Sequence, residues 1–181
     1  MKPWKKLSQK VLLTHSRLNV YEDEVELPSG HKTNYIHFGK KRDANSIIAI
    51  NDEGKILVQK ELSYPINEWL YQFPGGVDEE GETNEASALR ELKEESGYTG
   101  KLEKIGKFLV DHRRKEDYIY VYVATELKET PTNWDIEEEF VSYWFTPQEI
   151  ERMIERGEIV NNAMLCAWAI FRSSSVYLGK K

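Results

Sequence analysis

The sequence predicts a fold of the α+β class, or a sandwich built on a mixed sheet. Strand-like and helix-like segments are intermixed along its 181 residues, and many connections are short enough for antiparallel pairing. Hydrophobic residues make up 40% of the chain and charged residues 31%, which is typical of a globular protein. The length suits one domain with a small appendage at one end.

The N-terminal residues are predicted to form short antiparallel strands. These strands are 11–14, 18–27 and 33–38, and the turn-forming run Pro28-Ser29-Gly30 separates the last two. We therefore expect residues 1–43 to form a small antiparallel β-sheet arm and residues 44–181 to form the main domain. Because an isolated small sheet is marginally stable, we expect the arm to pack on the main domain or on a second subunit, giving a homodimer.

The main domain is predicted to alternate strands with helices. Its predicted strands are 45–50, 55–60, 69–73, 107–110, 118–126 and 140–145, and its predicted helices are 84–96, 147–156 and 162–172. The run Asn51-Asp52-Glu53-Gly54 between the first two strands predicts a hairpin. In the first helix, Thr83 or Asn84 can cap the start and Gly97 can end it.

The charge balance narrows the range of partners. Lys and Arg total 25 against 31 Asp and Glu, giving a formal net charge of −6. This disfavours binding to duplex nucleic acid or to an anionic membrane, but a metal ion can still join acidic residues to a phosphate-bearing small molecule. No apolar run approaches the roughly 20 residues of a membrane-spanning helix, and the single Cys166 excludes an intrachain disulfide. The expected compartment is the cytoplasm.

Three glutamates of the first predicted helix form an acidic group. Glu91, Glu94 and Glu95 are spaced i, i+3 and i+4, so they project from one face of a helix. Like charges at this spacing disfavour the helix slightly, whereas carboxylate oxygens are the ligands that a hard divalent cation prefers. From the spacing alone, a solvated acidic face remains the alternative.

The residues around these glutamates follow a longer pattern. Its fixed positions are Gly76, Glu82, Arg90, Glu91, Glu94, Glu95 and Gly97, with Leu92 at the internal apolar position. This is the spacing of the Nudix box, in which Tyr98 here replaces the usual aliphatic residue at the end. Because a chance match of this many fixed residues is on the order of 10⁻⁵, the sequence is interpreted as one that resembles the Nudix hydrolases.

The resemblance implies a strand–loop–helix–loop unit inside an α/β/α sandwich with a mixed sheet. It also implies hydrolysis, dependent on Mg²⁺ or Mn²⁺, of a nucleoside diphosphate linked to a further group. Arg90 and Glu82 would form an ion pair that orients the helix and the loop, and Gly76 and Gly97 would shape the turns at the two ends of the box.

The resemblance also implies a set of metal ligands. Glu91 and Glu95 would be the main ligands, with the carbonyl of Gly75 as a backbone ligand. Glu94 would be an additional ligand or act through water. Metal ions neutralise a pyrophosphate and lower the pKa of a bound water, and a carboxylate then accepts the proton of that water.

Features outside the box resemble the ADP-ribose and nucleotide-sugar pyrophosphatase branch of the family. They include the Tyr64-Pro65 pair, the run Phe73-Pro74-Gly75-Gly76, and an acidic loop followed by a strand and two helices. In that branch a glutamate of the acidic loop often serves as catalytic base or metal ligand. Glu138 is the first candidate here and Glu139 the second, with Glu137 beside them. A solvated acidic loop is the alternative.

The chain also departs from this branch. The loop 109–117 has no proline, Ser63 stands where an arginine is common, and Gln72 stands where a glutamate is common. These differences concern substrate choice, because the box itself is intact.

Three residues are candidate substrate contacts. Arg113 and Arg114, beside Lys115, could replace the missing cation by contacting a terminal phosphate or sugar, and an exposed basic loop is the alternative. Trp4 could stack on the base of a nucleotide, or it could anchor the arm to its own core or to that of a partner subunit.

The predicted function is hydrolysis of ADP-ribose or a related nucleotide sugar to a nucleoside monophosphate and a sugar phosphate. The enzyme alternative is a Nudix hydrolase for dinucleoside polyphosphates, oxidised nucleoside triphosphates or capped RNA. The non-enzyme alternative is a nucleotide-sensing module, although the chain has every carboxylate of the box.

Overall fold

The computed structural model describes residues 2–40, 42–131 and 140–178. The chain divides into two compact units: Met1–Lys41 with Leu109–Asp117, and Arg42–Phe108 with Tyr118–Lys181. The loop 109–117 is therefore grouped with the N-terminal strands, although it falls inside the range 44–181 that sequence analysis assigns to the main domain.

The first unit is built on a three-stranded antiparallel sheet. The strands β1 (Lys5–Thr14), β2 (Asn19–Glu26) and β3 (Lys32–Phe38) pair in the order β1-β2-β3. This confirms the predicted N-terminal antiparallel sheet. β1 begins at Lys5 rather than at residue 11. The sequence did not predict this start because nearly all side chains of β1 are exposed and no apolar alternation marks it.

The second unit contains two three-stranded sheets. In the first, β8 (Tyr118–Glu129) lies between β4 (Ala44–Ala49) and β7 (Tyr98–Leu109), and β4 pairs with β8 in parallel. In the second sheet, β5 (Ile56–Ser63) forms antiparallel pairs on both of its edges, with β6 (Glu68–Gln72) and with β9 (Val141–Phe145). Parallel and antiparallel pairs thus occur together, as expected for a mixed fold.

The predicted hairpin between strands 45–50 and 55–60 is wrong. β4 and β5 belong to different sheets, and an isolated bridge between Ile50 and Ile56 joins their ends. The turn between them forms as expected, but β4 pairs with β8 and β5 pairs with β6 and β9. Because β8 and β9 lie far along the chain, a local turn signal could not reveal these pairings.

Alternating side chains of the second unit form two separate cores. On one face, Ile47 of β4 and Leu57 of β5 pack with Ala88 and Leu92 of helix α1 (Asn84–Ser96). The other face packs against α2 (Pro147–Glu155) and α3 (Asn162–Ser173) through the buried residues Ile48, Ile56, Val58, Ile150, Met164 and Trp168. Helices therefore cover both faces, which confirms the α/β/α sandwich of the predicted Nudix fold.

The C-terminal helices follow local capping signals. α2 begins at Pro147 as predicted, and Thr146 and Glu149 form a reciprocal capping box before it. The short helix α4 (Ser175–Leu178), which the sequence did not predict, follows α3. Across residues 2–40, 42–131 and 140–178, none of the helices combines the length and the apolar character needed to cross a lipid bilayer.

Candidate active site

Helix α1 has the bounds that the sequence predicts, and both of its ends are fixed locally. The Thr83 hydroxyl accepts a hydrogen bond from the N–H of Ala86 at 3.2 Å. Gly97 follows the helix with φ 73°, and its N–H donates to the Lys93 carbonyl at 3.0 Å. This left-handed conformation is the one that favours glycine after a helix. The two caps therefore set the register of the three glutamates on α1.

Glu95 is a buried carboxylate that the backbone holds in place. Glu95 is 4% exposed, and its Oε2 accepts a hydrogen bond from the N–H of Gly75 at 3.0 Å. From β5, the Gln59 side-chain amide donates to the backbone carbonyl of Glu95 at 3.1 Å. Glu95 is thus fixed by both the loop after β6 and the strand β5.

The two glycines of this loop allow a close approach between backbone and carboxylates. Gly75 has φ 147°, and a Cβ there would lie 2.3 Å from the carbonyl oxygen of Asn45. A Cβ at Gly76 would lie 2.4 Å from Oε1 of Glu91. A Cβ at Gly75 would meet the backbone of β4, and one at Gly76 would displace the carboxylate of Glu91. With the hydrogen bond from Gly75 to Glu95, the backbone of residues 75–76 thus lies against the carboxylates of Glu91 and Glu95.

Arg90 is the centre of an ion-pair network on α1. Its Nε and Nη2 each lie 3.2 Å from a different carboxylate oxygen of Glu82. Its Nη1 lies 2.9 Å from Oε1 of Glu91 and 3.0 Å from Oε2 of Glu94. A planar guanidinium can make these contacts simultaneously because its donors point in fixed, divergent directions.

The network shifts the pKa values of Glu82 and Arg90 toward their charged forms. The hydrogen bond from Arg90 lowers the pKa of Glu82 below its ordinary value of 4.5, against the opposing effect of burial. Burial alone would lower the pKa of Arg90, but its hydrogen bond with Glu82 and the charge of Glu91 raise it overall. Both groups therefore stay ionised throughout the neutral range.

The donor set fits a hard divalent cation by chemical type. Glu91, Glu94 and Glu95 offer carboxylate oxygens from one helix, and the Gly75 backbone contacts the carboxylate of Glu95. Within the described part of the chain, no three Asp, Glu, His or Cys side chains are grouped to hold a metal ion. Glu91 and Glu94 contact Arg90 and Glu95 contacts Gly75, so these contacts would have to change if the three carboxylates were to hold one cation together.

Two buried amide side chains of the site were missed by sequence reasoning. Asn45 donates to the Ser87 hydroxyl at 2.9 Å, and its Oδ1 accepts from the N–H of Gly76 at 3.4 Å, which ties β4 to both α1 and the loop. Gln59, fully buried, contacts the backbone of α1 as described above. The signal was an amide residue close to the apolar run of its strand, where burial requires a hydrogen-bond partner.

The candidate substrate contacts lie in the first unit. The Arg114 guanidinium lies 5.6 Å from the centre of the Tyr35 ring and donates to the carbonyl of Ile36. Trp4 meets the same ring edge-on, with 6.0 Å between ring centres, and the Tyr35 hydroxyl donates to the carbonyl of Arg113. The structure thus brings Trp4, Arg113 and Arg114 around Tyr35, a residue that sequence reasoning did not single out.

The structure does not describe the candidates for the catalytic base. Glu138 and Glu139, with Glu137, lie outside the described residues, as does the rest of the range 132–139. Their role stays a prediction.

Comparison with known protein families identifies the chain. The NUDIX domain matches residues 40–166. The chain belongs to the Nudix family. The matched range contains every fixed position of the box, including Arg90, Glu91, Glu94 and Glu95, so the predicted resemblance is confirmed.

Individual relatives align with most of the chain. An ADP-ribose pyrophosphatase from Bacillus subtilis (strain 168) is 32% identical over 158 residues, which are 86% of this chain and 85% of the relative. A methanol dehydrogenase activator from Bacillus methanolicus is 35% identical over 122 residues, or 66% of this chain and 65% of that protein. A solved structure described as an ADP compounds hydrolase matches with a TM-score of 0.90 over 99% of this chain and 97% of that chain, at 19% identity. The predictions of a Nudix fold and of a Nudix pyrophosphatase are confirmed.

Proposed function

We propose that this Nudix hydrolase cleaves the pyrophosphate bond of ADP-ribose or a related nucleoside diphosphate sugar, with Mg²⁺ or Mn²⁺ as cofactor. The observation that carries this proposal is the placement of two α1 glutamates, Glu95 and Glu91, against the backbone of Gly75 and Gly76. The substrate class is supported by the relative named ADP-ribose pyrophosphatase, which aligns with 86% of the chain. Water adds across the P–O–P bond, so the products are a nucleoside monophosphate and a sugar phosphate.

The box residues divide into ligands and positioning residues. Glu91, Glu95 and the carbonyl of Gly75 are the proposed metal ligands, with Glu94 as a further ligand or acting through water. When bound, the metal would neutralise the pyrophosphate and acidify a water molecule. Arg90 positions the glutamates through its hydrogen bonds to Glu91 and Glu94.

Proton transfer is assigned to the acidic loop. We keep Glu138 as the first candidate for the base that takes a proton from the attacking water, and Glu139 as the second. The bridging oxygen then leaves with one phosphate, and that phosphate carries the negative charge released by cleavage.

Trp4, Arg113 and Arg114 are the proposed contacts to the substrate. Trp4 is 51% exposed, and an exposed indole can stack on a base. The backbone contacts between Tyr35, Ile36 and the loop residues hold Arg113 and Arg114 on a fixed segment. Replacing each with alanine is expected to raise KM more than it lowers kcat.

A homodimer is the proposed assembly. Three consecutive apolar residues of β1, Val11, Leu12 and Leu13, are 55%, 42% and 49% exposed, an unusual concentration of apolar surface on one strand. Light scattering at micromolar concentration tests the proposal, and a strictly monomeric species would contradict it. From the net charge and sequence, we propose a cytoplasmic protein that binds neither duplex nucleic acid nor membranes.

A substrate screen tests the proposed reaction. The panel contains ADP-ribose, ADP-glucose, GDP-mannose, NADH, diadenosine tetraphosphate and the nucleoside triphosphates, each with Mg²⁺ or Mn²⁺ and with excess chelator as the metal-free control. We expect ADP-ribose or another nucleotide sugar to be hydrolysed at least about tenfold more efficiently than the others. Turnover of triphosphates or dinucleotides alone would overturn the substrate class but leave the Nudix assignment intact.

A further inference from the structure

Glu61 on β5 is a carboxylate that the proposed reaction does not use. Along this strand, Leu57 packs in the core formed with α1, and Gln59 donates a hydrogen bond to the backbone carbonyl of Glu95. Side chains alternate along a strand, so Leu57, Gln59 and Glu61 share one face. Glu61 therefore lies on the α1 side of the sheet, about 7 Å along β5 from the residue that contacts Glu95.

The contact partner of Glu61 is neutral. Gln72 of β6, the cross-strand partner of Gln59, donates through Nε2 to Oε2 of Glu61 at 2.6 Å. The adjacent Lys60 lies on the opposite face, where its ammonium stands 4.9 Å from the centre of the Tyr71 ring. No lysine, arginine or histidine within 2–40, 42–131 and 140–178 forms an ion pair with Glu61.

This environment makes Glu61 an unusual residue for a sheet. Burial raises the pKa of Glu61, and the hydrogen bond from Gln72 offsets part of that rise. A half-buried carboxylate that lacks a cation disfavours folding, and groups of this kind concentrate at functional sites. Glu61 is thus a candidate for ligand binding on geometric and electrostatic grounds together.

One oxygen of Glu61 remains open to a ligand. Gln72 binds Oε2, whereas Oε1 has no hydrogen-bond partner in the described part of the chain and is not buried. An ionised carboxylate only accepts hydrogen bonds, so it binds hydroxyl or amine hydrogens and repels phosphate oxygens. The chemistry therefore selects a hydrogen-donating part of a substrate, such as a sugar hydroxyl.

We propose that Glu61 is a specificity-determining residue that accepts a hydrogen bond from a sugar hydroxyl of the nucleotide sugar. This inference rests on the proposed function, because the sugar is part of that substrate class. A carboxylate acceptor makes a stronger hydrogen bond than a neutral one. A site that binds a hydroxyl in this way also discriminates against analogues that lack it.

The test compares E61Q with E103Q, which changes an exposed glutamate of β7 in the same unit. For ADP-ribose, we expect E61Q to raise KM about tenfold, as the loss of a charge-assisted hydrogen bond predicts, and to change kcat less than about twofold. E103Q should leave both constants unchanged. The proposal is overturned if the KM of E61Q stays within about twofold of the wild type, whether or not its thermal unfolding midpoint falls.

Product inhibition shows which sugar is bound. AMP retains the nucleoside ribose but lacks the second sugar. If E61Q weakens inhibition by AMP as much as it raises KM, Glu61 contacts the nucleoside ribose. If inhibition by AMP is unchanged while KM rises, Glu61 contacts the second sugar. Each result supports the proposal and assigns its source.

Binding without turnover separates this proposal from the proposed function. The affinity of ADP-ribose is measured by calorimetry for E95Q and for the double variant E95Q/E61Q. If the wild type hydrolyses ADP-ribose and the two variants bind it with equal affinity, only the proposed role of Glu61 is overturned. If E61Q weakens binding but the wild type hydrolyses no nucleotide sugar, only the proposed reaction is overturned. If the wild type hydrolyses no nucleotide sugar and ADP-ribose does not bind, both proposals are overturned.

Discussion

The carboxylate of Glu95 accepts a hydrogen bond from the backbone N–H of Gly75, with 3.0 Å between Gly75 N and Glu95 Oε2. The contact joins α1 to the loop after β6 at the point where the metal ligands are proposed. A buried carboxylate without such a partner would be costly in free energy. The backbone of the loop therefore orients the acid and stabilises it in the same interaction.

The first prediction concerns Glu95 itself. E95Q should lower kcat by at least about 100-fold, since a neutral amide is a poor ligand for a divalent cation. The amide oxygen can still accept the hydrogen bond from Gly75, so the fold should persist. Steady-state kinetics with Mg²⁺ on the best substrate of the screen provides the measurement. E85Q, an exposed glutamate in the first turn of α1, is the matched control. A kcat of E95Q within tenfold of the control would contradict the assignment.

The second prediction concerns the network around Arg90. R90K should lower the free energy of unfolding by about 1–3 kcal/mol, because one ammonium nitrogen cannot reproduce the contacts that Nε, Nη1 and Nη2 of Arg90 make with Glu82, Glu91 and Glu94. Urea denaturation measures this change. K93Q removes an exposed positive charge from the same helix and should have little effect. Equal stability of R90K and K93Q would show that the network does not stabilise the fold.

The third prediction uses the close approach at Gly76. In G76A the new Cβ would lie 2.4 Å from Oε1 of Glu91, so the carboxylate must move. We expect activity to fall more than about tenfold, since displacement of a catalytic group by about 1 Å is enough for such a loss. G106A is the control, because its Cβ would lie 2.8 Å from Ile170 Cγ2, a packing contact between β7 and α3. Both variants should lower the thermal unfolding midpoint, and an active G76A enzyme would argue against the role of Glu91.

The fourth prediction concerns the dependence of stability on pH. Arg90 holds the pKa of Glu82 below its ordinary value of 4.5, so the folded state binds a proton there less readily than the unfolded state. The resulting stability is present above about pH 4.5 and is lost as the pH falls through the folded pKa. E82Q should therefore be less stable than the wild type at neutral pH, with a difference that shrinks in acid. Thermal unfolding midpoints between about pH 3 and pH 7 test this, and a constant difference would contradict it.

The sequence by itself determined the elements whose signals are local. The bounds of α1 follow from Thr83 before it and Gly97 after it, because caps act on backbone groups within one turn. The spacing of the box glutamates likewise needs only a helix to place them on one face. β7 shows the limit. It begins at Tyr98 rather than at residue 107, and the sequence did not predict this start because no residue of β7 is fully buried and the alternation is weak.

Only the tertiary structure decided which of these elements meet. β4 pairs in parallel with β8, joining Ala44 to Ile119, and no local pattern encodes a contact over that separation. The same holds for Gln59, which reads as a polar interruption of a strand until folding brings it to the carbonyl of Glu95. Local signals act through neighbours fixed by the covalent chain, whereas strand partners and buried polar contacts depend on which surfaces the whole chain removes from water.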